Sequence, residues 1–410
     1  MTKLSVETEA GAVGLDGERL ERIDRHFREY VDDGRLPGWT IVVARRGKVA
    51  HLSSYGMRDV EAGLAVEPDT IFRLYSMTKP VTSVAAMMLY EEGLFELKEP
   101  VHRFLPSFRD QRVYQRGSAF DPVTLPSPEP MRMWHLLSHT SGLTYPFFYA
   151  HPVDAIYRAA GFDYGKVPDL DLAQAADLWG TFPLLFVPGT EWNYSVSTDV
   201  LGRVVEVLSG QTLDAFFAER IFAPLGMADT GFSVPEEDHG RLAALYNLAP
   251  KRTFARAEGE GRQVLSPPKM LSGGGGLVGT AHDYHRFVQM LVGEGALDGV
   301  RLLSPRTLQL MTTNHLPGGA TLEEVGRPLF SETTFDGTGF GLGFSVLLDP
   351  AVSKTMGSKG LYAWGGAAST AFWVDPAEEL TALFFTQLVP SGSYPIRSEL
   401  QQLVYQAVVA

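Results

Sequence analysis

The spacing of apolar positions shifts along this chain from helical to strand-like and back again. Leu20, Ile23, Phe27, Tyr30 and Val31 recur at helical intervals between Asp16 and Asp33, and Gly34 follows as a stop, so an amphipathic helix is predicted there. Trp39 to Ala44 and Val49 to Tyr55 flank the polar turn Arg45-Arg46-Gly47-Lys48, the pattern of a β-hairpin. The far end mirrors this arrangement. Gly341 to Leu347, Ser369 to Val374 and Leu380 to Thr386 read as strands separated by Asp-Pro turns, and Ile396 to Val409 is helical in period. A helix at each terminus then covers one antiparallel sheet whose strands come from both ends of the sequence.

The middle differs in kind. Val81 to Tyr90, Leu172 to Trp179, Thr198 to Leu208 and Leu213 to Phe222 all carry a helical period, with Pro-rich connections such as Thr124 to Pro130 between such segments. The expected organisation is an α/β lobe, residues 1–75 and 270–410, with an all-α lobe, residues 76–269, inserted into it.

Composition narrows the functional classes. The 410 residues are 45% hydrophobic, enough for a sizeable core. A net charge of -13, spread along the chain, makes a phosphate-tracking surface and hence a nucleic-acid partner a poor expectation. The absence of cysteine removes thiol nucleophiles, disulfides and Cys-ligated metal. Met1 to Glu7 carries an acid where a leader would be apolar, and no apolar run has bilayer length, so a cytoplasmic protein with no membrane partner is expected.

Ser76-Met77-Thr78-Lys79 stands where the strand-like Thr70 to Leu74 hands over to the helix of Val81 to Tyr90. A serine and a lysine three apart on a helix share a face, so the amine can take the hydroxyl proton. A helix starting at Ser76 aims its amides at an oxyanion formed there, and Pro80 fits only within a first turn. Alone, the pair better suits a helix-capping serine and a solvated lysine. The second copy, Ser266-Pro267-Pro268-Lys269, is a decoy, because its prolines disfavour the helical register.

Tyr194, in Glu191 to Ser197, offers a phenol for proton relay if a lysine's charge holds its pKa down; the bland alternative is a tyrosine at the core edge. Trp364-Gly365-Gly366-Ala367 lies between the strand-like Leu361 to Ala363 and Ser369 to Val374. Its glycines would admit backbone close to a substrate, with the Ala367 amide joining that of Ser76 as oxyanion donor; a Gly-rich strand junction is the alternative.

Ser-x-x-Lys, Tyr-Ser-x and Trp-Gly-Gly, in this order and at these distances, resemble the motifs of class C β-lactamases and family VIII carboxylesterases of the penicillin-recognising superfamily. Trp134 to Leu143 and Pro224 to Thr230 look like further signatures of that superfamily, and the resemblance spans about residues 15 to 405. It implies a β-lactamase/transpeptidase-like fold with the site between the lobes. It also implies Ser76 as acylated nucleophile, with Lys79 and Tyr194 as its base system. The chain departs from the β-lactamase pattern twice. Val196 replaces the amide of Tyr-x-Asn and Trp364 the cation of Lys-Thr-Gly, which points to neutral esters rather than β-lactams.

The expected activity is therefore that of a carboxylesterase for short- to medium-chain neutral esters, with Trp364, Gly365, Gly366, Val196, Tyr145 and Phe147 binding a small-molecule substrate. The alternatives are acyl transfer to an alcohol or amine, β-lactamase or D,D-peptidase action, and a non-catalytic binding homologue. No cofactor and no metal are expected. His135 and His139, and His282 and His285, have ligand-like spacing, but no Glu stands between either pair as in His-Glu-x-x-His. No Gly-x-Ser-x-Gly occurs, and Gly273 to Gly276 is followed by no Gly-Lys-Ser/Thr; that run reads as a flexible re-entry into the α/β lobe. The oligomeric state is left open.

Overall fold

The computed structural model describes residues 4–164, 166–257 and 259–410; Met1 to Lys3, the start of the N-terminal stretch discussed above, lie outside them. Helix α1 is Gly17–Asp32. Asp16 caps it by accepting from the Arg19 amide at 3.1 Å, and Gly34 leaves it at a φ of 72°, in the left-handed region. Its stripe of Leu20, Ile23, Phe27 and Tyr30 is buried.

That stripe lies on an eight-stranded antiparallel sheet: β1 Gly38–Arg45, β2 Lys48–Asp59, β3 Leu64–Ala65, β4 Thr338–Phe340, β5 Ser345–Leu347, β6 Tyr362–Gly366, β7 Thr370–Asp375 and β8 Leu380–Phe385. The spatial order is β4-β5-β6-β7-β8-β1-β2-β3. Register is fixed at the centre by Thr40 opposite both Phe385 and Ser54. Strand β1 is buried at every position because both faces of the sheet are covered. Ile41 and Val43 face α1 and the C-terminal helix α5, Ile396–Tyr405, while Val42 and Ala44 belong to the core on the other side. Truncating an aromatic such as Phe27, which packs on Phe384 at 5.1 Å between centroids, costs about 3–5 kcal/mol in a packed core.

The second face is covered by α4, Ala281–Val292, which the terminal-helix scheme omits; Tyr284 sets its ring 5.3 Å from that of Phe372. Two central helices complete the framework of the site: α2, Thr78–Glu91, and α3, Ser197–Ser209, packed on one another. All but two residues of α2 are buried, the polar Thr78, Lys79, Thr82 and Ser83 among them.

The fold departs from the sequence reading at four further points. Gly341 to Leu347 is not one strand but the end of a hairpin, with Gly341 donating to Phe344 at 2.8 Å between β4 and β5. Pro122–Pro126, which overlaps the start of the Pro-rich connection expected from Thr124 to Pro130, pairs with Arg112–Gly117, its prolines placed at the two strand ends where a missing donor is tolerated. Tyr246–Ala249 pairs with Thr253–Arg256 and with Leu388–Val389, so the expected all-α segment contains strand as well. Trp364 to Gly366 lies inside β6 rather than between strands, because Gly366 pairs with Thr370. Among the described residues no helix is long and apolar enough to cross a membrane.

Candidate active site

Ser76 is positioned by a short strand pair and a tight turn. Ile71–Arg73 pairs with Val278–Thr280, Leu74 donates to the Leu277 carbonyl at 2.9 Å, and Tyr75 then turns the chain with a φ of 46°. A tyrosine in the left-handed region costs on the order of 1–3 kcal/mol, a strain found most often at functional turns. Ser76 sits in the 3-10 turn Tyr75–Met77 that feeds α2, so the α-helix begins two residues later than a start at Ser76 itself, and Pro80 falls in the first turn of α2.

Two side chains converge on the Ser76 hydroxyl. Lys79 Nζ lies 3.1 Å from Ser76 Oγ and donates to the Gly274 carbonyl at 2.6 Å; Tyr194 donates its phenolic hydrogen to Ser76 Oγ at 2.6 Å. Lys79 is only 2% exposed. Burial pulls its pKa from 10.5 to about 8, against the opposing pull of Asp199 and Glu332. A free amine is thus available near neutrality, and once Lys79 loses its proton the Ser76 hydroxyl can donate to it instead.

Tyr194 behaves differently from the sequence expectation. Its ring is boxed by Trp192, stacked at 6.3 Å, and by His139, Tyr145 and Trp364, each edge-on at 5.1 to 5.3 Å. Burial pushes its pKa well above 10.0, so it is a neutral phenol that donates rather than a phenolate stabilised by Lys79.

The hydroxyl opens into a cavity of about 610 Å³ with a largely aromatic wall, to which Tyr145, Phe147 and Trp179 contribute. Val196 and Ala367 border it as well, so Ser76, Tyr194, Val196, Tyr145, Phe147 and Ala367 share one cleft. Trp364, Gly365 and Gly366 do not line that cavity. Trp364 is buried behind Tyr194 and against Phe340, since strand alternation turns it into the core. Gly366 makes its close approach to protein, not to substrate: a Cβ there would collide with the Leu74 carbonyl and with Thr370 Oγ1. That lack of a side chain lets β6 lie against the segment leading to Ser76.

Ser266 is exposed in an extended backbone, and Lys269 donates to the Asp169 carbonyl at 2.9 Å, so the second Ser-x-x-Lys has no helical pairing. His135 accepts from the Arg132 amide at 3.0 Å. His139 lies beyond the helix Met133–Leu137, at a φ of 54°, with its Nδ1 3.3 Å from Ser195 Oγ. Burial pulls His135 down to about 3, His285 to about 4 and His139 well below its usual value, so all three are neutral. Among the described residues no three His, Asp or Glu side chains come together as a metal site.

Asp199 is the residue that motif reading missed. It lies on α3, buried, and its Oδ1 accepts from Ser272 Oγ at 2.5 Å and from the Gly274 amide at 3.0 Å. Gly273 to Gly276 is therefore no loose re-entry but a turn fastened from both sides, with Gly274 carrying the Lys79 amine. The only sequence signal was a carboxylate five residues after Tyr194, in the first turn of a helix.

Comparison with known proteins agrees with this architecture. The family model described as Beta-lactamase matches residues 23–406. The chain is 33% identical to Esterase EstB of Burkholderia gladioli, covering 96% of this chain and 97% of that one. It is 37% identical to an uncharacterized protein of Mycobacterium tuberculosis, covering 93% and 92% respectively. Among solved structures, EstCE1, described as a hydrolase with promiscuous acyltransferase activity, superposes with a TM-score of 0.79 at 29% identity, over 96% of this chain and 99% of that one. A serine hydroxyl engaged by a buried lysine and a phenol thus sits within a fold and a sequence shared over nearly the whole length, and the chain belongs to the beta-lactamase family as a serine hydrolase with esterase relatives.

Proposed function

We propose that the protein is a carboxylesterase acting on short- to medium-chain neutral esters through an acyl-enzyme on Ser76. The observation that carries this reading is the convergence of Lys79 and Tyr194 on Ser76 Oγ at the floor of an aromatic cavity. The Ser76 proton passes to the free amine of Lys79 as Oγ attacks the ester carbonyl. The amides of Ser76 and Ala367 hold the oxyanion. As the tetrahedral intermediate collapses, Tyr194 passes a proton to the leaving alkoxide, with the Lys79 ammonium as its source. Water, losing a proton to the same base system, then releases the acid and returns the proton to Ser76. A positioned base contributes about 10²- to 10⁴-fold and one oxyanion donor on the order of 3 kcal/mol, so no single group carries the whole rate.

On this reading the cleft lies between an α/β lobe, residues 1–75 and 270–410, and a largely helical lobe, residues 76–269, and the enzyme works in the cytoplasm. Esters are favoured over β-lactams by Val196, an apolar side chain on the cavity wall where the resemblance places an amide, and by Trp364, buried where it places a cation. The test is a panel of chromogenic esters of graded chain length, matching amides and nitrocefin. Neutral esters should exceed nitrocefin in kcat/KM by at least about 10³, roughly 4 kcal/mol of transition-state binding. Comparable values for both classes would overturn the assignment in favour of a β-lactamase. Acyl transfer shares the same intermediate, and EstCE1 carries that activity in its description. An added alcohol that diverts most of the product into a new ester would favour transfer.

A further inference from the structure

The Asp199 carboxylate and the turn Ser272–Gly276 form a device that the proton-transfer scheme above does not use. Oδ1 holds the turn by two bonds, from Ser272 Oγ and from the Gly274 amide, and the Gly274 carbonyl in turn receives the Lys79 amine. The fit depends on glycine: a Cβ on Gly274 would run into the Asp199 carboxylate. We propose that Asp199 is a positioning residue for the nucleophile pair, clamping Gly274 so that its carbonyl seats Lys79 against Ser76 and supplying the negative charge which that amine faces. This rests on Lys79 serving as the base for Ser76.

Several other groups face Lys79. Tyr194 and Tyr145 lie beneath the ammonium at 4.6 and 5.3 Å from ring centre to Nζ, and both are phenols pushed well above 10.0 by burial. His139 is neutral, held well below its usual value by burial and by Lys79 itself. Glu332, also felt by Lys79, is tied to Arg397 and to Ser391. Asp199, by contrast, has neutral hydrogen-bond donors in Ser272 and Gly274, so its charge is directed chiefly at the amine. A carboxylate in that position favours the ammonium form, opposing the desolvation that lowers it. Removing the charge while keeping the oxygen lets Lys79 release its proton at lower pH.

The experiment is the pH profile of kcat/KM for a neutral ester in the wild type and in Asp199→Asn, Asp199→Ala, Ser272→Ala and Gly274→Ala. Asp199→Asn keeps an acceptor for the turn and should move the acid limb down by at least about half a pH unit, with the plateau kcat within about threefold. Asp199→Ala and Gly274→Ala should each lower the plateau kcat at least about tenfold, and Ser272→Ala by less, because each loosens the seat of Lys79. A residue with only a structural role would lower activity without moving the limb. An unmoved limb in Asp199→Asn overturns the inference. Should that variant not fold, wild-type kcat in both Ser272→Ala and Gly274→Ala overturns it. A wild-type profile with no limb near pH 8 overturns the Lys79 base reading itself and this inference with it, so the two failures are told apart.

Discussion

Lys79 Nζ lies over the face of the Tyr194 ring, 4.6 Å from its centre, while the polar ends of both residues meet at Ser76 Oγ. The cation is thus attracted by the ring's π face and the phenol keeps its own hydrogen for donation. Base and proton carrier are separate groups with separate titrations, which makes their contributions separable by substitution.

Lys79→Ala should lower kcat by about three orders of magnitude, because among the described residues no other base is hydrogen-bonded to Ser76 Oγ. Tyr194→Phe should lower kcat about 10²-fold while leaving the melting temperature near that of the wild type, since the aromatic box around the ring is retained. Steady-state kinetics with parallel thermal melts distinguishes the roles. A Phe variant with normal kcat that melts much earlier would show Tyr194 to be a packing residue. EDTA should leave wild-type activity intact.

A fluorophosphonate probe should add one label, mapped to the Ser76 peptide by mass spectrometry. Among the described residues Ser266 has no partner amine, since Lys269 is engaged with Asp169. Labelling that persists in Ser76→Ala would remove Ser76 as nucleophile.

Phe147 stacks on Tyr145 at 4.6 Å between centroids along the cavity wall. Phe147→Ala should raise KM for medium-chain esters about tenfold and barely alter that for acetates, whose chain does not reach the wall. Equal effects on both would place Phe147 in the framework instead.

Acid should destabilise the fold through its buried histidines. His135 and His285 titrate near 3 and 4 in the folded state, against 6.5 when unfolded. Between these values the unfolded chain binds more protons than the folded one, so stability is full above about pH 6.5 and declines as pH falls toward the folded values. At about pH 5 each histidine lowers stability by on the order of 2 kcal/mol. Denaturant midpoints from about pH 7 to 5 should fall accordingly, and less steeply in His285→Gln.

Much of the site was legible because its three polar groups sit in short motifs whose geometry is local. Ser76 and Lys79 are three residues apart at a helix start, and Pro80 marks where that helix begins. The proline-bearing copy at Ser266 could be set aside on the same grounds. Asp199 escaped notice, and Gly274 was read as part of a flexible re-entry, because their bond joins residues 75 positions apart and forms only in the folded chain. Trp364 was misplaced for another reason: a motif gives a position along a strand, but the side of the sheet it faces depends on register, and here Tyr194 covers the indole. The hairpin Arg112–Gly117 with Pro122–Pro126 was hidden by prolines at its margins, which read as loop.

The pairing of β1 with β8 bears on how the molecule comes into being. Thr386 Oγ1 donates to the Gly38 carbonyl across 348 residues of sequence, and β1 is closed on both faces and both edges only when that contact forms. During synthesis the hairpin β1–β2 therefore emerges long before its central neighbour, carrying an apolar strand with one bare edge. Such an edge invites pairing with other chains, and closing so long a loop is slow. Until the last strands leave the ribosome, that early hairpin is the part of the chain most in need of shelter.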